Sequence, residues 1–296
     1  MRLRSLLFVP GDSERKFAKA RAVGADALIL DLEDAVAPSQ KDAARAHVAG
    51  LIDPTTPRDW RLFVRINPFD TGLALADLAA VVRPGLDAVL VPKANSAQDV
   101  VRIGHYLDAL EARAGMPPGV VKIAVVATET PAAMFALGTY APAHPRLIGL
   151  TWGAEDLAAA IGATDNKDAH GAWSQPYQFA RAQCLFAAAA AGVAPIETLF
   201  ADFRDLEGLA ADCRLARRDG FTGRIAIHPD QVATINTCFS PSEADVAQAR
   251  RVVAAFAAEP EAGAVAIDGK MYDIPHLKAA QQVLRSLAPD QWEPSE

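Results

Sequence analysis

The chain has 296 residues, 51% of them hydrophobic, and a formal net charge of −7. That length suits one large α/β domain, since eight-stranded α/β barrels run to about 250 residues as a single domain. The acidic balance, with no basic block or Lys/Arg stripe interleaved with aromatics, argues against nucleic acid as a partner. A local basic pocket still permits phosphate-bearing ligands.

The elements alternate along the chain. Residues 6–10 predict a strand and 13–23 a helix that Asp12 or Ser13 can cap. A second strand over 27–32 leads to a helix over 39–51, with Ser39 as a plausible cap. Strand 62–66 precedes helix 73–82, and strand 88–92 precedes helix 97–114. Strand 122–127 is followed by a short helix over 132–138, and the sixth strand is 147–151. Residues 162–176 are polar and read as a loop that interrupts the sixth unit. Strand 195–199, helix 206–219, strand 224–227 and a helix after Pro229 complete the series.

Apolar strands separated by helices indicate a parallel sheet buried on both faces, and eight of them indicate a closed (β/α)8 barrel. An open Rossmann-like sheet is the second reading, weakened because no Gly-x-Gly-x-x-Gly follows the first strand. The barrel is expected over residues 1–239. A C-terminal extension over 240–296 adds helices at 243–257 and 275–287 around a glycine-containing stretch, and frays at 293–296. This tail reads as a lid, or as an arm reaching another subunit.

Cys184, Cys213 and Cys238 form no Cys-x-x-Cys pair, and their odd number points to buried reduced thiols rather than a disulfide framework. The N-terminal apolar run, Leu6 to Val9, falls short of the about 7–15 residues of a secretion signal core. The alanine-rich stretch 184–194 is too short to span a bilayer. The expectation is a soluble, cytoplasmic protein with no membrane partner.

Barrel enzymes place their chemistry at the C-terminal ends of the strands. There stand Asp31, Glu33 and Asp34 after the second strand, Arg65 and Asn67 after the third, and Lys93 after the fourth. Glu129 follows the fifth strand, Glu155 and Asp156 the sixth, Glu197 the seventh and His228 the eighth. Carboxylates converging on one mouth repel each other and need positive charge. Arg65 and Lys93 supply part of it, and a divalent cation is the simplest remainder. Oxygen ligands without a His/Cys cluster suit Mg2+, or Mn2+, better than zinc. Glu129 and Asp156, at the ends of adjacent strands, fit the one or two carboxylates that Mg2+ takes; each can equally cap the helix that follows it.

Arg65 can hold a carboxylate or an enolate oxygen in its planar fork, or can pair with Glu33 or Asp34 across the mouth. His228 can serve as a base or as a hydrogen-bonded strand end. Asp165, Asp168 and His170 lie in the polar loop, as a gate or as solvated surface. No Gly-x-Ser-x-Gly elbow, Walker loop or His-Glu-x-x-His motif is present, which disfavours serine hydrolase, P-loop and zincin chemistry.

Taken in order, Leu7-Phe8-Val9-Pro10-Gly11, Gly24-Ala25-Asp26, Asp31-Leu32-Glu33-Asp34-Ala35-Val36, Val64-Arg65-Ile66-Asn67, Val91-Pro92-Lys93, Glu129-Thr130, Gly153-Ala154-Glu155-Asp156-Leu157 and Ile227-His228-Pro229 form a pattern. With the tail Asp268-Gly269-Lys270-Met271-Tyr272-Asp273, this pattern resembles the citrate lyase β-subunit-like branch of the HpcH/HpaI aldolase family. The resemblance implies a barrel that cleaves carbon–carbon bonds in 3-hydroxyacyl-CoA thioesters with Mg2+, giving an acyl-CoA and a small 2-oxo acid. It implies Glu129 and Asp156 as metal ligands, with Glu129, Gly153, Ala154 and Arg65 contacting substrate. Arg65 also stabilises the enolate, Glu33, Asp34 and Lys93 support, and Asp273 reaches the site of a neighbouring subunit in a homotrimer. Two positions depart from the family pattern: Ala127-Thr128, where apolar residues are usual, and Tyr272, where Ile is common.

Overall fold

The protein is described by a computed structural model over residues 2–287. Its first compact unit runs from Leu3 to Asn236. Eight strands close into a barrel in sequential order: β1 (Ser5–Pro10), β2 (Ala27–Asp31), β3 (Arg61–Arg65), β4 (Ala88–Val91), β5 (Lys122–Val126), β6 (Leu147–Thr151), β7 (Ala194–Glu197) and β8 (Gly223–Ala226). All neighbouring pairs are parallel, and β1 pairs with β8 to close the ring. The expected (β/α)8 architecture is therefore present.

Strand alternation fills the interior. Leu6, Ile29, Phe63, Leu90, Val126 and Ile196 pack there as one apolar cluster, with Phe8 against it. The same period carries Asp31, beyond Ile29, and Arg65, beyond Phe63, to the inner face at the top. The register confirms it, because Asp31 lies directly opposite Arg65 on β2 and β3.

Helices α1 (Glu14–Ala20), α2 (Lys41–Leu51), α3 (Ala74–Val81), α4 (Ala97–Arg113), α5 (Pro131–Met134), α6 (Ala154–Ile161), α7 (Gln175–Ala191), α8 (Leu206–Asp219) and α9 (Gln231–Phe239) follow or link the strands. In α4 the buried Val100, Ile103, Gly104 and Leu107 form the inward stripe of a 3.6-residue period. Helices α6 and α7 flank the polar loop; α6 is the helix expected after Asp156, whereas α7 was not expected from the sequence. The buried face of α7 is largely Ala180, Ala187 and Ala188 with Tyr177 and Cys184, so small residues leave little contrast between its faces. Residues 132–138 divide into α5 and a 3-10 turn, Leu137–Tyr140.

None of the caps proposed for α1 and α2, Asp12, Ser13 and Ser39, forms. Ser13 occupies the N-cap of α1 without a side-chain hydrogen bond. Ser39 lies inside a 3-10 turn, Pro38–Gln40, and Gln40 holds the N-cap of α2. No described helix is long and apolar enough to cross a membrane.

The second unit begins at Thr237. It contains α10 (Glu243–Ala258), β9 (Ala264–Ile267), β10 (Lys270–Asp273) and α11 (Ile274–Arg285). Val252, Phe256, Val265, Ala280 and Leu284 form its core. The antiparallel β9–β10 hairpin replaces what read as an irregular stretch. Its two-residue turn is Asp268-Gly269, with φ of 51° and 74°, the mirror-image geometry that Asp-Gly favours. Residues 293–296, read as a frayed end, lie outside the described residues.

Charge is also buried away from the mouth. Arg146, just before β6, is 4% exposed, and Glu111 of α4 is fully buried. Arg146 donates Nη1 to Glu111 Oε1 at 2.8 Å and Nη2 to Oε2 at 2.6 Å. The amides of Gly119 and Val121 donate to the same carboxylate at 2.9 and 2.7 Å. Burial opposes the Glu111 charge, but Arg146 and these amides hold its pKa below the ordinary carboxylate range. Their stabilisation is thus present above the unfolded-state pKa and is lost as pH falls through the folded one. Glu111→Ala leaves Arg146 buried without its main partner and should cost about 3–5 kcal/mol in urea unfolding. A loss under about 1 kcal/mol would show the pair to be dispensable.

Candidate active site

The site is built on the ends of β2 to β6. Arg65 lies on its strand partner Asp31, donating Nε to Oδ1 and Nη2 to Oδ2, both at 2.7 Å. Its Nη1 stands 2.8 Å from Glu33 Oε2 and 3.8 Å from Asp34 Oδ2, and its plane covers the Phe8 ring at 4.6 Å. Burial lowers the Arg65 pKa, but Asp31, Glu33 and Asp34 outweigh it and raise it, so the guanidinium is a fixed cation. Of the two expected partners, Glu33 is in place and Asp34 is 59% exposed at long range. The dominant partner is Asp31, which had been noted at the strand end but not assigned to Arg65. The strand register was the signal that could have found it.

Asp31 does a second job. Its Oδ1 accepts from the Glu33 amide at 2.9 Å and its Oδ2 from the Ala35 amide at 3.0 Å, folding the turn that presents Glu33. Lys41 caps the carbonyls of Leu32 and Glu33 at 2.7 Å each. Burial first, then the Asp34 charge, raises the Glu33 pKa, against Arg65 and Lys93.

Glu129, 4% exposed, follows β5. It does not cap α5; the Thr130 side chain does, accepting from the Ala133 amide. Its Oε2 instead accepts from the Lys93 amide at 2.5 Å. Burial, then the charges of Asp156 and Glu33, push its pKa up to about 8, opposed by the Lys93 amide and ammonium. A Cβ on Gly153 would sit 2.7 Å from Glu129 Cγ and 3.1 Å from its Oε1, so residue 153 must be glycine for Glu129 to lie here. The Gly153 amide donates to Thr128 Oγ1 at 3.1 Å, joining the ends of β5 and β6. This hydroxyl accounts for a polar residue at a position where apolar ones are usual.

Asp156 lies in the first turn of α6, where a negative charge suits the helix dipole. Its side chain, 31% exposed, meets Lys93 Nζ at 3.0 Å. The same ammonium donates to Glu33 Oε1 at 2.6 Å. Glu155 turns away and accepts from Asn166 of the polar loop at 3.0 Å. A hollow of about 500 Å³ opens beside Glu33, Asp34, Asn67 and Lys93.

This donor set fits a hard divalent cation. Two carboxylates from adjacent strand ends stand close enough that Asp156 raises the Glu129 pKa, the repulsion that a cation relieves. Among the described residues no group of three or more His, Cys, Asp or Glu is arranged for a metal. Two carboxylate ligands suit Mg2+, which keeps positions for water and substrate, better than zinc.

The remaining candidates lie elsewhere or are occupied. His228 stacks on Phe203 at 4.7 Å, and its Nδ1 accepts from the Asp230 amide at 3.3 Å, so it orders its own turn. Asp168 accepts the amides of His170 and Ala172, and Asp165 that of Lys167, all within the loop. Glu197 is buried and accepts from Trp152 Nε1 at 2.5 Å and Arg181 Nε at 2.7 Å. In the second unit, Asp273 caps α11 and lies 2.5 Å from His276 Nδ1, which holds its pKa below the usual range. Tyr272 accepts from Gln248 at 2.9 Å through its hydroxyl, a bond that Ile cannot make.

The profile of the HpcH/HpaI aldolase/citrate lyase family matches residues 4–229. Citrate lyase subunit beta of Haemophilus influenzae is 36% identical over 283 residues, 95% of either chain. A (3S)-malyl-CoA thioesterase of Cereibacter sphaeroides is 37% identical over 95% of this chain and 93% of its own. Among solved structures, Mycobacterium tuberculosis CitE with magnesium, acetoacetate and coenzyme A is 36% identical with a TM-score of 0.75, covering 96% of this chain and 97% of its own. The citrate lyase beta subunit of the same organism, with oxaloacetate and magnesium, is 34% identical with a TM-score of 0.67, covering 80% of this chain and 96% of its own. The charged mouth built from Arg65, Glu129 and Asp156 thus sits on a chain that belongs to the HpcH/HpaI aldolase/citrate lyase family.

Proposed function

We propose that the protein is a Mg2+-dependent carbon–carbon lyase that reversibly cleaves a 3-hydroxyacyl-CoA into an acyl-CoA and a 2-oxo acid. One observation carries this reading: Glu129 and Asp156 converge on Lys93, whose ammonium shares Glu33 with the fixed cation Arg65. The relatives that hold magnesium with oxaloacetate, or with acetoacetate and coenzyme A, support it.

Glu129 and Asp156 would hold the cation, for which Mn2+ can substitute. When bound, the metal supplies Lewis acidity to the hydroxyl and, later, the carbonyl oxygen of the oxo-acid half. A base takes the hydroxyl proton, and the carbon–carbon pair moves to the α-carbon of the thioester. Arg65 stabilises the enolate that forms, a contribution worth a few kcal/mol in comparable sites. The backbone at Gly153 and Ala154, on the N-terminus of α6, suits a substrate carboxylate. The Asp273 carboxylate of a neighbouring subunit then exchanges the proton on the enolate carbon, which requires a homo-oligomer, read here as a trimer. Glu33 and Asp34 hold Arg65 and Lys93 in place.

A second reading, thioester hydrolysis, is favoured by the relatives named (3S)-malyl-CoA thioesterase. A third, a citrate lyase β subunit acting on a carrier-bound thioester, is favoured by those of that name. A panel of malyl-, citramalyl- and citryl-type CoA thioesters with product identification separates them. Acyl-CoA plus oxo acid supports the lyase, free acid plus CoA the hydrolase, and no turnover of any CoA thioester the carrier-dependent subunit.

Glu129→Ala and Asp156→Ala should abolish Mg2+-dependent turnover while the circular dichroism spectrum stays unchanged; normal turnover by either would sink the metal assignment. Arg65→Lys keeps the charge but loses the planar fork that matches Asp31. Its kcat should fall by about 10²–10³-fold. Near-full activity in steady-state kinetics would reduce Arg65 to a structural ion pair.

A further inference from the structure

Among the described residues, two that are not glycine have a left-handed backbone: Asp268, in its hairpin turn, and Lys93, with φ of 51°. Asp tolerates this region because its short side chain bonds locally. A lysine gains nothing of the kind. A residue held in such a conformation persists where its surroundings over-determine it, typically at a functional site.

The Lys93 backbone conformation sends its amide to one carboxylate and its ammonium to two others. Its amide donates to Glu129 Oε2 at 2.5 Å. Its side chain places Nζ 3.0 Å from Asp156 Oδ1 and 2.6 Å from Glu33 Oε1. Each proposed metal ligand is thus engaged through one oxygen. The other oxygens, Oε1 of Glu129 and Oδ2 of Asp156, meet no donor among the described residues. Gly153 leaves the space against that free Oε1.

We propose that Lys93 is the positioning residue of the metal pair: its amide orients Glu129, its ammonium orients Asp156, and the left-handed backbone lets one residue do both. Glu33, 3% exposed at its side chain, also anchors the ammonium, so Lys93 cannot swing freely. Partners of this kind fix the rotamer of a ligating carboxylate and raise its affinity for the ion. The inference rests on the metal reading of the site.

The test is Mn2+ affinity of the full chain, read by electron paramagnetic resonance of free against bound ion. Lys93→Met keeps the amide and removes the ammonium. It should bind Mn2+ about 10- to 100-fold more weakly, and Lys93→Arg should recover most of the loss. Should Lys93→Met fail to fold by circular dichroism, Lys93→Gln carries the same expectation, because it can still hydrogen-bond Glu33. Binding as tight as in the parent, or tighter because a competing cation is gone, overturns the role of Lys93. Failure of the metal reading looks different: the parent itself does not bind Mn2+, or Glu129→Ala binds it equally well, and the proposal falls with it.

Discussion

The structure depends on accommodating carboxylates inside the rim of an apolar barrel. Asp31, Glu33 and Glu129 are almost fully buried, and each unpaired carboxylate there would lose several kcal/mol of hydration. Two cations meet the demand by sharing. Arg65 spreads one charge over Asp31, Glu33 and, distantly, Asp34. Lys93 spreads another over Glu33 and Asp156. Glu33 receives both, so it is the node at which the two pairs become one network. Glu129 receives only an amide and is the carboxylate left short of positive charge.

Much of this was legible in the sequence. Parallel strands buried on both faces are written as apolar runs, and eight such runs with helices between them admit few closed arrangements. The acids and bases at the strand ends follow from the same reading, because a strand turns polar where its alternation meets the rim. What was not legible is pairing. Glu129 and Asp156 stood beside helix starts and could have capped them. Thr130 capping α5 frees Glu129 for the site, and that depends on which rotamers the neighbours allow. Arg65 was matched with Glu33 or Asp34 across the mouth, whereas register sets Asp31 opposite it. Helix α7 was missed because alanines on its buried face carry little periodic signal. The β9–β10 hairpin was missed although its Asp-Gly turn was present in the sequence, since β9 buries only Val265 fully.

The two ends of the first unit divide their labour. At the base, Arg146 and Glu111 satisfy each other with further help from backbone amides, and the arrangement has nothing left over to bind. At the mouth, one oxygen each of Glu129 and Asp156 remains without a donor among the described residues. The same chemistry, buried guanidinium with carboxylate, serves rigidity in one place and reactivity in the other. Whether partners are exhausted decides which.

Gly153 imposes a limit on how this barrel can be redesigned. Because Glu129 packs where its Cβ would be, the turn before α6 admits no side chain. Redesign of the mouth therefore has to work from the β2 and β3 loops, around Ser39, Asn67 and Thr71, where the hollow lies. Libraries that randomise residue 153 will return mostly inactive clones. Those that vary Ser39, Asn67 and Thr71 alter the shape of the hollow while leaving the carboxylate pair intact.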